Sequence, residues 1–462
     1  MKIVKNNLKL VSLNNMGFLL FFLVPISFIV GLAAINIILF LIFIFTIAVF
    51  IKEKNTYFIN NITFKLSILF FVYINLVNIM NLDNNLLSEL LKTISYLKYI
   101  SLVIFIKYIY SKFSSYQKIF FLNFNLFIVV FVVIDLIFQK FTGANFFGFK
   151  PGICKEGYIF LDTKDFVVRW SEDFYCERFG GVFDQEFIAG TFLLFFGTIF
   201  IFLKYSNTNK KYFFISISIL LIAILLTGDR LPLLMTLSSL FLFILISKNY
   251  RKFIFTYIFS LSVILLIIIL LNPYLFQRYS YIYNKLTHNI GVNSIEVLKN
   301  EKLTIFKEVD NKKNKIAKNF YDTTWGAHYL VSARMIKEKP LFGSGNKTFR
   351  KQCHNYKNNI QSKSKKYACS THPHNLFLEF LIDYGFVGLL LFLSIVISIF
   401  YKNSIKKNIN KDLTLLYLIC LIFIIFIPLK PSGSFFSTIT GTTFFYLFGW
   451  VNFLMGDNKK VS

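Results

Sequence analysis

The chain has 462 residues, 56% of them hydrophobic, and a mean hydropathy of +0.61. Only 16% are charged, against roughly 25% in an average soluble domain, which excludes an ordinary water-soluble globule. The formal net charge of +27 does not point to nucleic acid, because the lysines are spread over many short connections and form no single basic stripe.

Long apolar runs recur from end to end, at about residues 17–33, 34–51, 65–81, 90–109, 119–138, 186–203, 212–227, 231–247, 253–271, 374–400, 412–428 and 435–454. Each approaches the ~20 residues that cross a ~30 Å hydrocarbon core as a helix. In lipid only helices and closed barrels satisfy every backbone polar group, and these unbroken runs lack the alternation of barrel strands. The expectation is an all-α, polytopic membrane protein of about twelve transmembrane helices. Its organisation reads as helices 1–5 with a first loop in 1–185, helices 6–9 in 186–271, one large loop in 272–373, and helices 10–12 in 374–462. The first run is expected to stay in the protein, because no small-residue cleavage site follows it and the second run begins almost at once.

The short connections sort into two alternating sets by Lys and Arg content. The basic set gathers at 2–9, 52–65, 112–118, 204–211, 248–252, 402–411 and 459–460. The positive-inside rule places these in the cytoplasm together with both termini, and puts the long segments 139–185 and 272–373 outside. Long loops cross largely regardless of their own charge, so the lysines of 272–373 do not break the rule. Lys98 lies about 12 Å into the fourth run, placed either to reach an internal cavity or to snorkel.

Four of the five cysteines, Cys154, Cys176, Cys353 and Cys369, fall in the two outside segments, while Cys420 lies within a helix. Disulfides persist in the periplasm, so cysteine placement agrees with the charge rule on unrelated grounds. Several pairings are open. The local pairs Cys154 with Cys176 and Cys353 with Cys369 are preferred because each closes a short loop, worth roughly 3 kcal/mol in the chain-entropy picture. Free thiols or a metal site are the alternative, although no tight Cys-x-x-Cys spacing is present.

Polar residues at the outside ends of membrane helices are the places to look for function. Arg178-Phe-Gly-Gly-Val-Phe-Asp-Gln-Glu186 leads into the sixth run with an arginine, two glycines and two carboxylates. Thr227-Gly-Asp-Arg230 is a very short turn between two apolar helices, readable also as a solvated hairpin held by its own charged pair. Thr371-His-Pro-His-Asn375 opens the tenth run, with Pro373 suited to a first helical turn. Asn375, Glu379 and Asp383 follow at spacings of four, along one face, which suggests a hydrated or protein-lined cavity. A histidine, with an unperturbed pKa of about 6.5, can take a proton from a hydroxyl at neutral pH, yet at a helix start it is more often a plain surface residue.

At these residues the sequence resembles the O-antigen ligase and O-antigen polymerase family of membrane glycosyltransferases. His374-Asn375, nine residues, then Gly385-Phe-Val-Gly388 resembles the His-Asn signature that opens the helix after the large outside loop of the ligases. Lys339-Pro-Leu-Phe-Gly-Ser-Gly345 with Phe349 resembles the Pro-Leu-x-Gly-x-Gly segment of that loop, and Leu226-Thr-Gly-Asp-Arg230 resembles a Thr-Gly-Ser-Arg turn. Asp229 departs from that turn, standing where a small serine is common, and would moderate the positive potential of Arg230. The resemblance covers about residues 178–390.

The resemblance implies a GT-C-like helical fold with its large periplasmic loop between helices 9 and 10. It also implies transfer of a glycan from undecaprenyl diphosphate to lipid A core, or to a growing glycan chain in a polymerase, at the outer face of the bacterial inner membrane. His374 would be the base, with His372 as its substitute. Arg178 and Arg230, with Arg334 and Arg350 as weaker donors, would hold the diphosphate, since arginine forks match phosphate oxygens. Their alternatives are an ion pair with Glu186 or Asp229 and simple loop solvation. No metal or other cofactor is expected, and the partners would be the lipid-linked glycan, its acceptor and membrane lipids. A lipid-linked sugar transporter or flippase is the competing class; it would call for inverted repeats with broken helices, and no such pairing is visible.

Overall fold

The computed structural model describes residues 2–53, 62–81, 91–155, 158–162, 167–171, 175–206, 208–247, 251–271, 323–360, 362, 364–401, 412–428 and 433–455. Each expected apolar run coincides with a helix or a helical stretch. The apolar helices are α1 (Lys2–Val30), α2 (Leu32–Glu53), α3 (Ile62–Met80), α4 (Leu97–Lys112), α5 (Ser115–Thr142) and α6 (Ala189–Tyr205). They continue with α7 (Lys210–Leu226), α8 (Arg230–Ile246) and α9 (Arg251–Leu271). After two amphipathic helices, α10 (Thr324–Glu338) and α11 (Thr348–Lys357), come α12 (Leu376–Tyr401), α13 (Leu413–Ile425) and α14 (Thr438–Leu454). Among the described residues six stretches are long and apolar enough to cross a membrane: Leu13–Val30, Leu32–Lys52, Ile62–Met80, Leu91–Lys112, Ser115–Thr142 and Leu376–Ser398.

The distribution of apolar side chains is that of a protein solvated by lipid. Ile37, Phe40, Leu69, Leu76, Phe127, Ile134, Leu234 and Phe241 are exposed, far more apolar surface than a soluble monomer shows. Inside, the helices interlock through rings: Phe21 stacks on Phe121 with centroids 4.4 Å apart, and Tyr110 meets Trp450 edge-on at 4.8 Å.

The all-α expectation holds for the bundle, and one segment outside it departs locally. The first long segment carries two antiparallel ladders, β1 (Gly152–Lys155) with β4 (Tyr175–Arg178) and β2 (Tyr158–Asp162) with β3 (Val167–Ser171). Backbone that leaves the hydrocarbon layer is released from the obligation to be helical, and short runs rich in Val, Ile, Tyr and Phe pair as strands.

Contacts between helices fix their directions. α4 and α14 are parallel, with Tyr99 against Phe445 at one end and Tyr110 against Phe453 at the other. α3 and α12 are antiparallel, since Ser398 bonds Thr63 at 3.0 Å while Tyr73 donates to the Tyr384 carbonyl at 2.7 Å. Phe243 near the end of α8 meets Tyr417 near the start of α13, so these also oppose one another. One end of the bundle therefore gathers the described segments around Gly31, 143–155, 175–188, 227–229, 323–360, 364–375 and 433–437. The other end collects Lys52, Lys112, Lys118, Lys204, Lys210 and Lys211. Lys98 is tied into the bundle: its Nζ donates to Asn36 at 2.7 Å, and Asn36 bonds Thr438 on α14.

Candidate functional site

Two corners of the loop-rich end hold the residues singled out by sequence. The first is built on α10, α11 and the strap that runs to α12. Thr323 caps α10 by accepting from the Gly326 N–H at 3.1 Å. Ala327, Val331 and Met335 of that helix pack with Phe349 and Cys353 of α11, with Ile360 and Ala368, and with Ile382 of α12. A disulfide joins Cys353 to Cys369, as the local pairing requires, with Cα atoms 5.7 Å apart. Cys154 stands opposite Cys176 in the β1–β4 register; their side chains lie outside the described residues.

This unit is fastened to α12 backbone to backbone. Gly385 (φ +65°) interrupts the helix and turns the carbonyls of Ile382 and Asp383 outward. They accept from Ser344 N–H at 2.9 Å and Gly345 N–H at 2.8 Å, while Phe386 and Val387 N–H reach back to the carbonyls of Pro340 and Leu341 at 2.8 and 3.1 Å. A β-carbon on Gly343 would fall 2.5 Å from the Tyr384 nitrogen, and one on Gly385 would fall 2.3 Å from the Leu341 oxygen. The Pro-Leu-x-Gly-x-Gly and Gly-x-x-Gly motifs are thus two halves of one clasp.

The three polar residues expected along one face of α12 each anchor a different segment. Asn375 caps its own helix, accepting from Phe377 and Leu378 N–H at 3.0 and 3.1 Å, and donates to Tyr329 at 2.9 Å and to the Pro428 carbonyl. Glu379, buried, accepts from Phe435 N–H at 2.9 Å and from Ser434. Asp383 accepts from Lys347 and Thr348 N–H at 2.9 and 3.0 Å, capping α11 from across the clasp. Their shared face meets protein and serves attachment, because periodicity sets the face and the neighbours set its use.

His374 lies between the strap and α12, half-buried, in the left-handed conformation (φ +54°). Its ring centroid is 4.1 Å from that of His372, 5.3 Å from His328 and 4.9 Å from Trp325, which meets it edge-on. His372 Nδ1 is 2.9 Å from the Thr371 hydroxyl. His328 and Trp325 escaped the sequence reading. The available signal was their spacing of three on a helix, which puts both rings on one side. Burial pushes the His328 pKa below the ordinary histidine value, partly opposed by its bond to the Ala368 carbonyl. Among the described residues no group of three or more His, Cys, Asp and Glu is arranged to hold a metal ion.

The second corner joins the end of β4 to the α7–α8 turn. Gly228 (φ +73°) makes the turn possible, and the Asp229 N–H bonds the Thr227 hydroxyl at 3.1 Å. Phe179 N–H donates to the Thr227 carbonyl at 3.2 Å, bringing Arg178 onto Asp229 as an ion pair. The Arg178 guanidinium also lies 4.3 Å from the Phe187 ring centre. Arg230 opens α8 next to this pair, half-buried. Arg334 and Arg350 are exposed on α10 and α11, and among the described residues neither pairs with Asp229.

Residues 215–393 match the family model described as O-Antigen ligase, a stretch that takes in the α7–α8 turn, both halves of the clasp and His374 but not Arg178. No curated protein matches the sequence. Over 215–393 the chain is therefore similar to the O-antigen ligases, the family that the motifs at 226–230, 339–345 and 374–388 resemble.

Proposed function

We propose that this protein is a glycosyltransferase that moves a glycan from undecaprenyl diphosphate to an acceptor hydroxyl of lipid A core, at the periplasmic face of the bacterial inner membrane. The observation that carries the reading is the cluster of His374, His372, His328 and Trp325, set at the same end of the bundle as the Arg178–Asp229–Arg230 corner. Its chemistry needs no nucleotide sugar. His374 takes the proton of the acceptor hydroxyl as that oxygen bonds the anomeric carbon. The bond from that carbon to the diphosphate breaks, and undecaprenyl diphosphate leaves with the negative charge. Arg178 and Arg230 meet that charge with forked donors. Asp229 holds Arg178 meanwhile, so an incoming diphosphate exchanges with a carboxylate and meets an arginine already in place. Arg334 and Arg350, exposed on the loop helices, suit the approach of an anionic head group.

In this reading about twelve helices span the membrane, the basic end of the bundle faces the cytoplasm with both termini, and the large loop 272–373 lies between helices 9 and 10 in the periplasm. The helices of 17 residues, such as Arg230–Ile246, reach roughly 25 Å at 1.5 Å per residue, close to a bilayer core. One measurement tests both sidedness and staple. Mass spectrometry of protein taken from membranes under alkylating, non-reducing conditions is expected to recover Cys353 and Cys369 linked. Both recovered as alkylated thiols would refute the oxidising location.

The reaction itself is tested by reconstitution with an undecaprenyl-diphosphate-linked glycan and two acceptors. Transfer to lipid A core supports the ligase, transfer only to a second lipid-linked glycan makes the protein a polymerase of the same family, and movement of intact donor across the bilayer without transfer overturns the enzyme reading.

A further inference from the structure

We propose that His328 is a positioning residue for glycosyl transfer, holding the His374 ring in place from a fixed point beside the Cys353–Cys369 disulfide; the inference rests on the function proposed for His374.

His374 has a backbone that its own sequence does not favour. The left-handed conformation at φ +54° costs a non-glycine residue of order 1–3 kcal/mol and persists only where the surroundings over-determine it. On the chain itself the constraint comes from buried Pro373 before it and from Asn375 after it, which caps α12 and is bonded to Tyr329. These hold the backbone. The ring is held by other means, and His328 is placed to do it.

The His328 side chain is only 4% exposed, on the inner face of α10. Its Nδ1 lies 2.8 Å from the Ala368 carbonyl oxygen. A carbonyl only accepts, so Nδ1 carries the hydrogen and the tautomer is set. Ala368 is itself fully buried and immediately precedes Cys369, whose bond to Cys353 ties it to α11. The bond to Ala368 fixes both the rotation of the His328 ring about its side-chain axis and its depth. One side of that ring meets Phe349, 6.0 Å away between centroids, and another meets His374 at 5.3 Å. Trp325, one turn earlier on α10, closes on His374 edge-on at 4.9 Å. His374 therefore sits between a fixed pair of rings from α10 and the ring of His372 on its own strap.

The consequence is a chain of constraint running from the disulfide to Ala368, to His328 and on to His374. Its purpose is orientation: a displacement of about 1 Å in a reacting group can cost on the order of 10²-fold in rate. The effect is expected on turnover, because a side chain only 4% exposed offers an acceptor almost no surface to bind.

The test uses the full-length protein in proteoliposomes, with kcat and KM measured against a fixed acceptor. His328→Phe keeps a ring and removes the donor to Ala368, and is expected to lower kcat about 10- to 100-fold with KM within twofold. His328→Asn, whose amide donates from nearly the position of Nδ1, is expected to recover a substantial part of that loss. The amount of protein in the membrane and the Cys353–Cys369 linkage are checked in each variant. Normal kcat in His328→Phe alongside an inactive His374→Asn overturns the inference and leaves the function standing. Full activity in His374→Asn removes the base role proposed for His374 and the inference with it, while the transferase reading stands or falls on the reconstituted transfer itself. If His328→Phe does not accumulate, the Cys353→Ser, Cys369→Ser double variant decides: a fall in kcat at unchanged KM supports the chain of constraint, and an unchanged kcat overturns it.

Discussion

Replacing His374 by asparagine is expected to reduce glycosyl transfer by about 10²- to 10⁴-fold, the usual contribution of general acid–base assistance, while leaving the amount of protein in the membrane unchanged. Asparagine is the informative substitute because His374 occupies the left-handed region (φ +54°), which asparagine tolerates better than most residues. The backbone is then spared and only the imidazole is lost. The measurement is initial rate in the reconstituted assay at matched protein. His372 provides the internal control: its ring is 4.1 Å from that of His374, and His372→Ala is expected to do less damage. If His372→Ala abolishes transfer and His374→Asn does not, the base assignment moves by two residues. If both variants turn over normally, the histidine cluster has no catalytic role.

The second large effect concerns the clasp. Gly343→Val should detach the α10–α11 unit from α12, because no flexible side chain stands in the way of the new β-carbon. It meets the backbone nitrogens of Tyr384 and Gly385 and the oxygen of Asp383, each at 2.5 Å, at a position whose φ of +77° a β-branched residue does not adopt. Opening the clasp leaves the four paired backbone groups on each side without partners, at about 1–3 kcal/mol for each one that stays buried, and removes the carboxylate of Asp383 from the start of α11. The expected outcome is protease cleavage within 323–373 under conditions where the wild-type segment resists, together with loss of transfer, while the helical bundle stays in the membrane. Gly385→Val should do the same from the other side. Wild-type protease resistance and activity in both variants would show that the glycine motifs do not fasten the loop.

Much of this architecture is decided by the sequence alone, for reasons that act locally or through the solvent. Lipid leaves an apolar run no choice but to be a helix, so each expected span coincides with one, and the alternation of basic turns agrees with the helix directions set by contacts such as Tyr73 with Tyr384. The Cys353–Cys369 pair was legible because a short loop favours its own closure. The glycine motifs were legible as a pattern, but not as a clasp, since neither half shows that its partner is some 40 residues away. The strands at 152–178 escaped because no bilayer constrains them and their pairing partners are each other. Asn375, Glu379 and Asp383 show most clearly where sequence stops. A spacing of four puts them on one face of α12, yet whether such a face meets water, ligand or backbone depends on which segments dock there. The same holds for His328, which meets His374 only because α10 packs on the strap, and for Arg178, which is paired with Asp229 only because the end of β4 lies along the α7–α8 turn. Periodicity and solvent set the elements and their directions; the identity of each polar residue's partner is a property of the tertiary contacts.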